Sequence, residues 1–386
     1  MSETMTRGEE FANATITEEM LEAARERIGR ARPVPAWNST ITKDTIWHFA
    51  MGVGDDNPLW WDEDYAERSP RGGLTAPPCY LYSHAHGPVL AVEDAEELIL
   101  PNVMALWAGE RWEFKRHLRV GENIRSESSL TDLTVHEGGS FGGRSVTQTS
   151  TAHYKTDAGE VVAECKHILK RFNRGETRAR GKYLDRPVAK WTVADRDRFE
   201  AHYRQEARLM RRGAEPRYFE DTPVGEKTPT MLKGPLTRSN LIGWQMGIGL
   251  GLVATNRMMY AILDATPGTR MVNPDLGCVD TWAAPHWEPA LCRAQGLPGE
   301  GYDHGCQRLS WVAHFVSDWM GDHGFLRDLE IRLLRPNIIN DVTWINGTVV
   351  ASDPETGAVT LDIVTTNQLE ETTSRTRATV ELPRKP

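Results

Sequence analysis

The chain has 386 residues, of which 26% are charged and 39% hydrophobic, with a formal net charge of -9. That length accommodates two ordinary domains with separate cores, and the acidic balance argues against nucleic acid as the main partner. No apolar run approaches the roughly 20 residues a membrane span needs, so no membrane partner is expected. The polar, acidic start lacks the apolar core of a signal peptide, and a cytoplasmic location is the default expectation. The five cysteines (79, 165, 278, 292 and 306) are scattered and form no CxxC pair. They fit reduced thiols better than a disulfide framework or a zinc site, so no metal is expected.

In chain order, residues 1–35 read as a leader with one amphipathic helix, capped by Thr17 and running to about Arg30. A first domain is expected over 36–171. It opens on Ile41-Thr42-Lys43-Asp44, a Thr-capped helical segment reaching Met51, and a second helix starts at Asp62-Glu63-Asp64. A long apolar helix is expected to begin near Ala76-Pro77-Pro78-Cys79. Runs at 111–116, 124–133, 143–153 and 160–170 alternate apolar and polar residues as half-buried antiparallel strands do. Asp157-Ala158-Gly159 supplies a hairpin turn. Residues 172–215 read as an Arg-rich linker. Within it Thr192-Val193-Ala194-Asp195 starts a helix reaching about Arg212. Its arginines read as a solvated face, with a role in binding phosphates as the minority reading.

A second domain is expected over 216–386. Leu236-Thr237-Arg238-Ser239 repeats the Thr-capped opening. Gly247, Gly249 and Gly251 lack dinucleotide-loop spacing and read as positions for close packing or a bend. A long helix begins near Asp303-His304-Gly305-Cys306 and ends in the Gly stop of Asp318 to Gly324. Strands follow from 329–335, 342–350, 358–366 and 374–382, with a hairpin loop at Asp353 to Gly357. Matched features keep a similar spacing. Trp60 precedes His286 by 226 positions, Cys79 precedes Cys306 by 227, and Gly121 precedes Asn340 by 219. A helix followed by antiparallel strands, written twice, points to duplication of an α+β unit.

One loop carries a family resemblance. Gly54-Asp55-Asp56-Asn57-Pro58-Leu59-Trp60 closely resembles the Gly-Asp-x-Asn-Pro-Leu-His signature of the MaoC-like (hydratase 2) hydratase/dehydratase family. The resemblance extends over roughly 36–170 and 216–384. In the second half it rests on Tyr218-Phe219-Glu220-Asp221 with Val224-Gly225-Glu226, similar to the family's opening strand. It rests also on Gly234-Pro235-Leu236-Thr237 and on the turn Tyr302-Asp303-His304-Gly305. It implies a double hot dog, in which a long helix is wrapped by a bent antiparallel sheet, present twice. It also implies a hydro-lyase acting on 2-enoyl- or 3-hydroxyacyl-CoA thioesters without a metal or redox cofactor.

Hydration of a 2-enoyl thioester needs a base for water, a proton for the α carbon, and donors for the carbonyl oxygen. The family's signature Asp and the His five residues later serve the first needs, and helix N-terminal N–H groups serve the last. Here Trp60 stands at the His position, so Asp55 and Asn57 read as secondary or vestigial unless another His, such as His84 or His86, swings in. Asp55 and Asn57 also read simply as turn caps. His286 aligns with Trp60 in the duplicated pattern. Asp280 lies six residues before it, one more than the signature spacing. We therefore expect His286 as the proton-transfer residue, Asp280 as its carboxylate partner, and Gly305 as backbone donor to the oxyanion. The competing readings are a structural His beside Pro285 and a turn Asp.

Trp60, Tyr302, His304 and Arg308 are expected at the substrate, although an ion-paired Arg308 is the commoner case. His314 and His323 read as structural residues of the long helix and its end. Two other functions stay open: a hot-dog thioesterase, and a non-catalytic acyl-CoA-binding subunit that needs a partner. Exposed sheet edges point to a homodimer.

Overall fold

Hydroxyl caps start the helices where the sequence places them. The computed structural model describes residues 14–84, 99–101, 103–138, 143–173, 175, 186–249, 254–265, 270–294 and 299–386. Thr17 accepts from the Met20 N–H at 3.2 Å and opens α1, Glu18–Arg25. This helix stops short of Arg30 because Ile28 bridges to Leu130 and the Gly29 N–H donates to the Leu130 carbonyl. Thr42 and Thr237 each form a reciprocal capping box with the residue three positions on. They open α2 (Lys43–Val53) and the matching Arg238–Ile248, and both helices end on a left-handed glycine, Gly54 and Gly249. Asp62 caps α3, Glu63–Arg68. The first long helix is described only as α4, Leu81–His84. It starts at Leu81 rather than near Ala76, since Pro77 to Tyr80 form a turn; the expected continuation beyond His84, with His86, lies outside the described residues, as do residues 1–13, Gly251 and most of 174–185.

The strands are β1 (Arg32–Val34), β2 (Met104–Phe114), β3 (Ile124–Glu137), β4 (Arg144–Thr156) and β5 (Val161–Phe172) in the first half. After α5 (Val193–Met210) come β6 (Met231–Lys233), α6 (Arg238–Ile248), α7 (Asn256–Ala265), β7 (Met271–Val272), β8 (Val279–Asp280), α8 (Pro289–Ala294) and α9 (Gly305–Met320). The chain ends in β9 (Phe325–Leu333), β10 (Thr343–Asp353), β11 (Ala358–Thr366) and β12 (Thr372–Glu381). Tyr218 to Asp221, expected to open the second half as a strand, instead contains a short 3-10 turn, Phe219–Asp221. The short edge strand β6 takes that place and pairs with β10.

Ten strands form one sheet in the order β1-β3-β4-β5-β2-β9-β12-β11-β10-β6. The order is palindromic in kind: each half meets the other through its first long strand, β2 against β9, antiparallel. Trp112 lies opposite Leu329 and Gly109 opposite Arg332. At Gly109 a Cβ would sit 2.5 Å from the Ile331 carbonyl oxygen, so only glycine fits the seam. β7 and β8 make a separate two-stranded hairpin. The duplicated α+β unit is thus built as two wrapped half-sheets sharing a border.

The concave side is filled by helices. All side chains of α9 from Cys306 to Met320 are buried, polar ones included. The helix packs on β9, β2 and β12 and touches α2. The matched helices α2 and α6 cross where Gly52 meets Gly247. A Cβ on Gly247 would lie 2.6 Å from the His48 carbonyl and 2.8 Å from Gly52 Cα. Of the expected close packing or bend, Gly247 supplies the first, while Gly249 is the left-handed helix cap. The helix of the Arg-rich segment, α5, packs on the second half. Phe199 of α5 packs with Leu232, Val342 and Trp344, and the Glu206 carboxylate accepts from the Leu232 N–H at 2.7 Å.

Candidate functional site

The signature loop folds as its residue types dictate. Asp55 Oδ1 accepts from the Asn57 N–H and Asn57 Oδ1 from the Leu59 N–H, each at 3.1 Å. The asparagine thereby caps a 3-10 turn, Pro58–Trp60. Trp60 is wholly buried, with the Arg71 guanidinium 5.2 Å from its ring centre. The second half repeats this turn as Ala284–His286, so His286 does occupy the place of Trp60. The Asp–His spacing differs because α7 and the β7–β8 hairpin are inserted between α6 and this turn.

The imidazole that reaches Asp55 comes from the other half. His314, on α9, places Nε2 3.5 Å from Asp55 Oδ1 and 3.3 Å from Asp318 Oδ2. Lys233 lies 2.7 Å from His314 Nδ1 and also reaches the Val53 and Gly54 carbonyls. An ammonium can only donate, so Nδ1 is the acceptor and the ring proton sits on Nε2, facing the carboxylates. Arg211 bridges Asp318 and Asp56. Burial pushes the Asp55 carboxyl above its ordinary value. Burial pushes Asp318 up too, but His314 and Arg211 more than reverse this and hold it low. Burial lowers the Lys233 ammonium.

Asp55, His314 and Asp318 bring ligand atoms within 4.8 Å of one another, close enough for a metal ion. Lys233 takes the ring nitrogen opposite, and Arg211 pairs with Asp318 and Asp56. The cluster is an ion-paired network joining the halves. His84, considered as a replacement imidazole, turns instead to the Asn38 carbonyl and Ser126 Oγ.

The second-half residues meet at the start of α9. His286 is half-buried, and its Nδ1 lies 2.9 Å from the Tyr302 carbonyl, which fixes the proton on Nδ1 and a lone pair on Nε2. Its ring stacks on that of His304 with 3.7 Å between centroids and lies 4.1 Å from that of Tyr302. Burial lowers the His286 imidazole to about 4. His304 is the N-cap of α9 but makes no side-chain cap bond, and its ring is held by the Gln245 amide at 3.0 Å. Gly305 opens the helix under the Trp107 indole, where a Cβ would lie 2.8 Å from Trp107 Cγ.

Asp280 sits at the end of β8. Its Oδ1 accepts from the Thr281 N–H at 2.7 Å, and burial raises its carboxyl. No hydrogen bond or ion pair among the described residues joins it to His286. Arg308, expected at the substrate, is instead buried in a bidentate pair with Asp303 at 2.5 and 2.7 Å. Its remaining bonds go to the Arg335 and Thr373 carbonyls. These contacts commit the guanidinium to the fold rather than to a phosphate. Asp303 also takes the Asn337 N–H and side-chain amide, so this arginine pins the turn that carries His304.

Sequence reasoning missed a further pair. Glu110 on β2 and His167 on β5 are both buried, with Oε1 3.0 Å from Nδ1. The available signal was an ionisable residue at an inward position of a strand with period-two burial.

Residues 28–165 match a family described as FAS1-like, dehydratase domain region. A UPF0336 protein of Parafrankia sp. is 27% identical over 124 residues, covering 32% of this chain and 78% of the relative. Among solved structures, one called a MaoC-like dehydratase superposes with a TM-score of 0.65 at 18% identity, covering 93% of this chain and 100% of the other. A conserved hypothetical protein of Mycobacterium tuberculosis, described as having a double hotdog fold, superposes with a TM-score of 0.57 at 11% identity. It covers 92% of this chain and 96% of the other. These likenesses agree with the ten-stranded sheet and its paired halves.

Proposed function

Since the chain has the double hot-dog fold of the MaoC-like dehydratases, we propose that it hydrates a 2-enoyl-CoA thioester, or dehydrates the 3-hydroxyacyl thioester, at the start of α9. The observation that carries this reading is the stacked His286–His304 pair beside a helix N-terminus whose cap side chain makes no bond to it. The His286 Nε2 lone pair takes a proton from water. The water oxygen bonds to the β carbon, the alkene electrons move to the α carbon, and that carbon takes the proton that His286 has received, which returns the imidazole to its neutral form. The thioester oxygen, which gains negative charge on the way, rests against the Gly305 N–H at the positive end of α9. Burial keeps His286 neutral at pH 7, so its Nε2 lone pair is available to accept a proton. Asp280 is assigned as the carboxylate that completes the pair around the water.

The same groups suit a thioesterase if water attacks the carbonyl instead, and the test separates the two. A panel of aliphatic and cyclic 2-enoyl-CoA thioesters is followed by loss of enoyl absorbance with free thiol monitored in parallel, for wild type, His286→Ala, Asp280→Asn and Asp55→Asn. Enoyl loss that His286→Ala abolishes and Asp55→Asn spares supports the reading. Thiol release moves the assignment to hydrolysis. Acyl-CoA binding without turnover points to a subunit that needs a partner.

A further inference from the structure

The outer face of the crossed helices α2 and α6 is apolar and open to solvent. Trp47 and Met51 stand one turn apart on α2, and Ile242 and Met246 one turn apart on α6, so each pair shares a face. The core is served by other positions of the same helices, Ile46, Phe49, Ala50 and Val53 on one and Leu241, Trp244 and Ile248 on the other. Met51 and Met246 are each 63% exposed, and Trp47 and Ile242 are exposed too. Trp61 extends the patch, with its ring 6.0 Å from that of Trp47. The close Gly52–Gly247 crossing joins the two helix faces into one surface, and Gly243, where a Cβ would meet nothing within 4 Å, leaves its middle open. Together these side chains expose on the order of 500 Å², the size at which an apolar patch on a soluble protein marks an interaction site.

Its symmetry says what covers it. Trp47, His48, Met51 and Gly52 recur 195 positions later as Ile242, Gly243, Met246 and Gly247. The contacts at the crossing are reciprocal: a Cβ on Gly247 would meet the His48 carbonyl, and one on Gly52 the Gly243 carbonyl. The rim repeats as well. Lys43 pairs with Glu63, and its counterpart Arg238 pairs with Glu300. A surface with its own two-fold axis, an apolar centre and a charge-balanced rim is its own complement. A second copy laid face to face on it meets methionine and tryptophan with the same residues, and the Lys43 and Arg238 cations with carboxylates. With its rim the patch approaches the roughly 800 Å² per partner that a stable pair buries. The sheet edges, which were the expected route to pairing, are blunted. β1 has three residues, and its central Pro33 has no N–H to offer. At β6 the Leu232 N–H is already taken by Glu206 of α5.

We infer that two copies of this chain pair through the α2–α6 face, with Met51 and Met246 at the centre of the interface and Trp47, Trp61 and Ile242 around them. The inference stands apart from the reading at His286, since none of these side chains belongs to that site.

Two measurements on the full chain test this. Sedimentation equilibrium at micromolar concentrations is expected to give a dimer for wild type and a monomer for the double variant Met51→Glu, Met246→Glu with an unchanged circular dichroism spectrum. Leu369→Glu, exposed between β11 and β12, is expected to stay dimeric. A monomeric wild type, or a double variant that is still a dimer, overturns the inference. Peroxide oxidation of wild-type methionines, read by mass spectrometry, needs no variant. Sulfoxide formation follows exposure, so in the dimer Met51 and Met246 are expected to oxidise at least about tenfold more slowly than Met258, which is 68% exposed on α7. A dimer in which all three oxidise alike overturns the inference independently. A wild-type monomer that floats with phosphatidylcholine vesicles, as the double variant does not, gives the face to a lipid surface and overturns pairing.

Discussion

Lys233→Met removes the ammonium that balances the Asp55–His314–Asp318 network. The side chain is 7% exposed and donates toward His314 Nδ1 and two carbonyls. Methionine keeps the volume but leaves two buried carboxylates facing one guanidinium, that of Arg211. Breaking a buried ion pair on one side costs about 3–5 kcal/mol, and we expect a loss in that range by chemical denaturation. Asp55→Asn in the same background removes the surplus charge. The double variant is therefore expected to recover part of the loss, with a coupling of about 0.5–3 kcal/mol.

The pH dependence has a definite sign. Asp55 is raised in the folded state, chiefly by burial, so the fold binds its proton more tightly than the unfolded chain does. Its contribution to stability is fully present below the unfolded carboxyl value and declines as pH rises through the folded one. Removing Lys233 takes away an attraction for the carboxylate, so the defect should shrink on acidification. A Lys233→Met protein within about 1 kcal/mol of wild type, unaffected by Asp55→Asn, would refute the charge-balance argument.

Three further outcomes follow from the geometry. His286→Ala is expected to lower kcat on an accepted enoyl-CoA by about 10²–10⁴, whereas folded Asp55→Asn retains activity. His286 sits at about 4 against 6.5 for the ordinary imidazole. Its stabilising neutral form is intact above 6.5, and about 3 kcal/mol is lost as pH falls from there through 4. Comparing wild type with His286→Phe by denaturation at pH 7 and pH 4.5 should show a smaller acid loss in the variant, and parallel curves would contradict this. Gly247→Ala forces a methyl against the His48 carbonyl and Gly52. It should cost about 1–3 kcal/mol, read as a lower melting temperature, and an unchanged value would mean that α2 and α6 can slide apart.

Local chemistry in this chain was readable without a structure. Thr42, Thr192 and Thr237 each satisfy helix N–H groups a few residues away, and such bonds depend only on neighbours in sequence. Alternation marked β10 to β12 nearly to the residue, since half-buried strands repeat every two positions. The loop Gly54 to Trp60 named the fold class, and the repeat placed His286 opposite Trp60. What the sequence left undecided is every contact between distant segments. His314 was read as structural, and nothing near it in sequence shows that α9 carries it to a carboxylate in the first half. Arg308 was expected at a ligand, but Asp303 and two carbonyls from beyond β9 claim it. Glu110 and His167 lie on strands that are neighbours in the sheet but 57 residues apart in the chain. Burial and charge pairing are properties of the packed whole: a side chain's partner is set by which strands border each other and how closely two glycines let helices approach, and only the tertiary structure decides that.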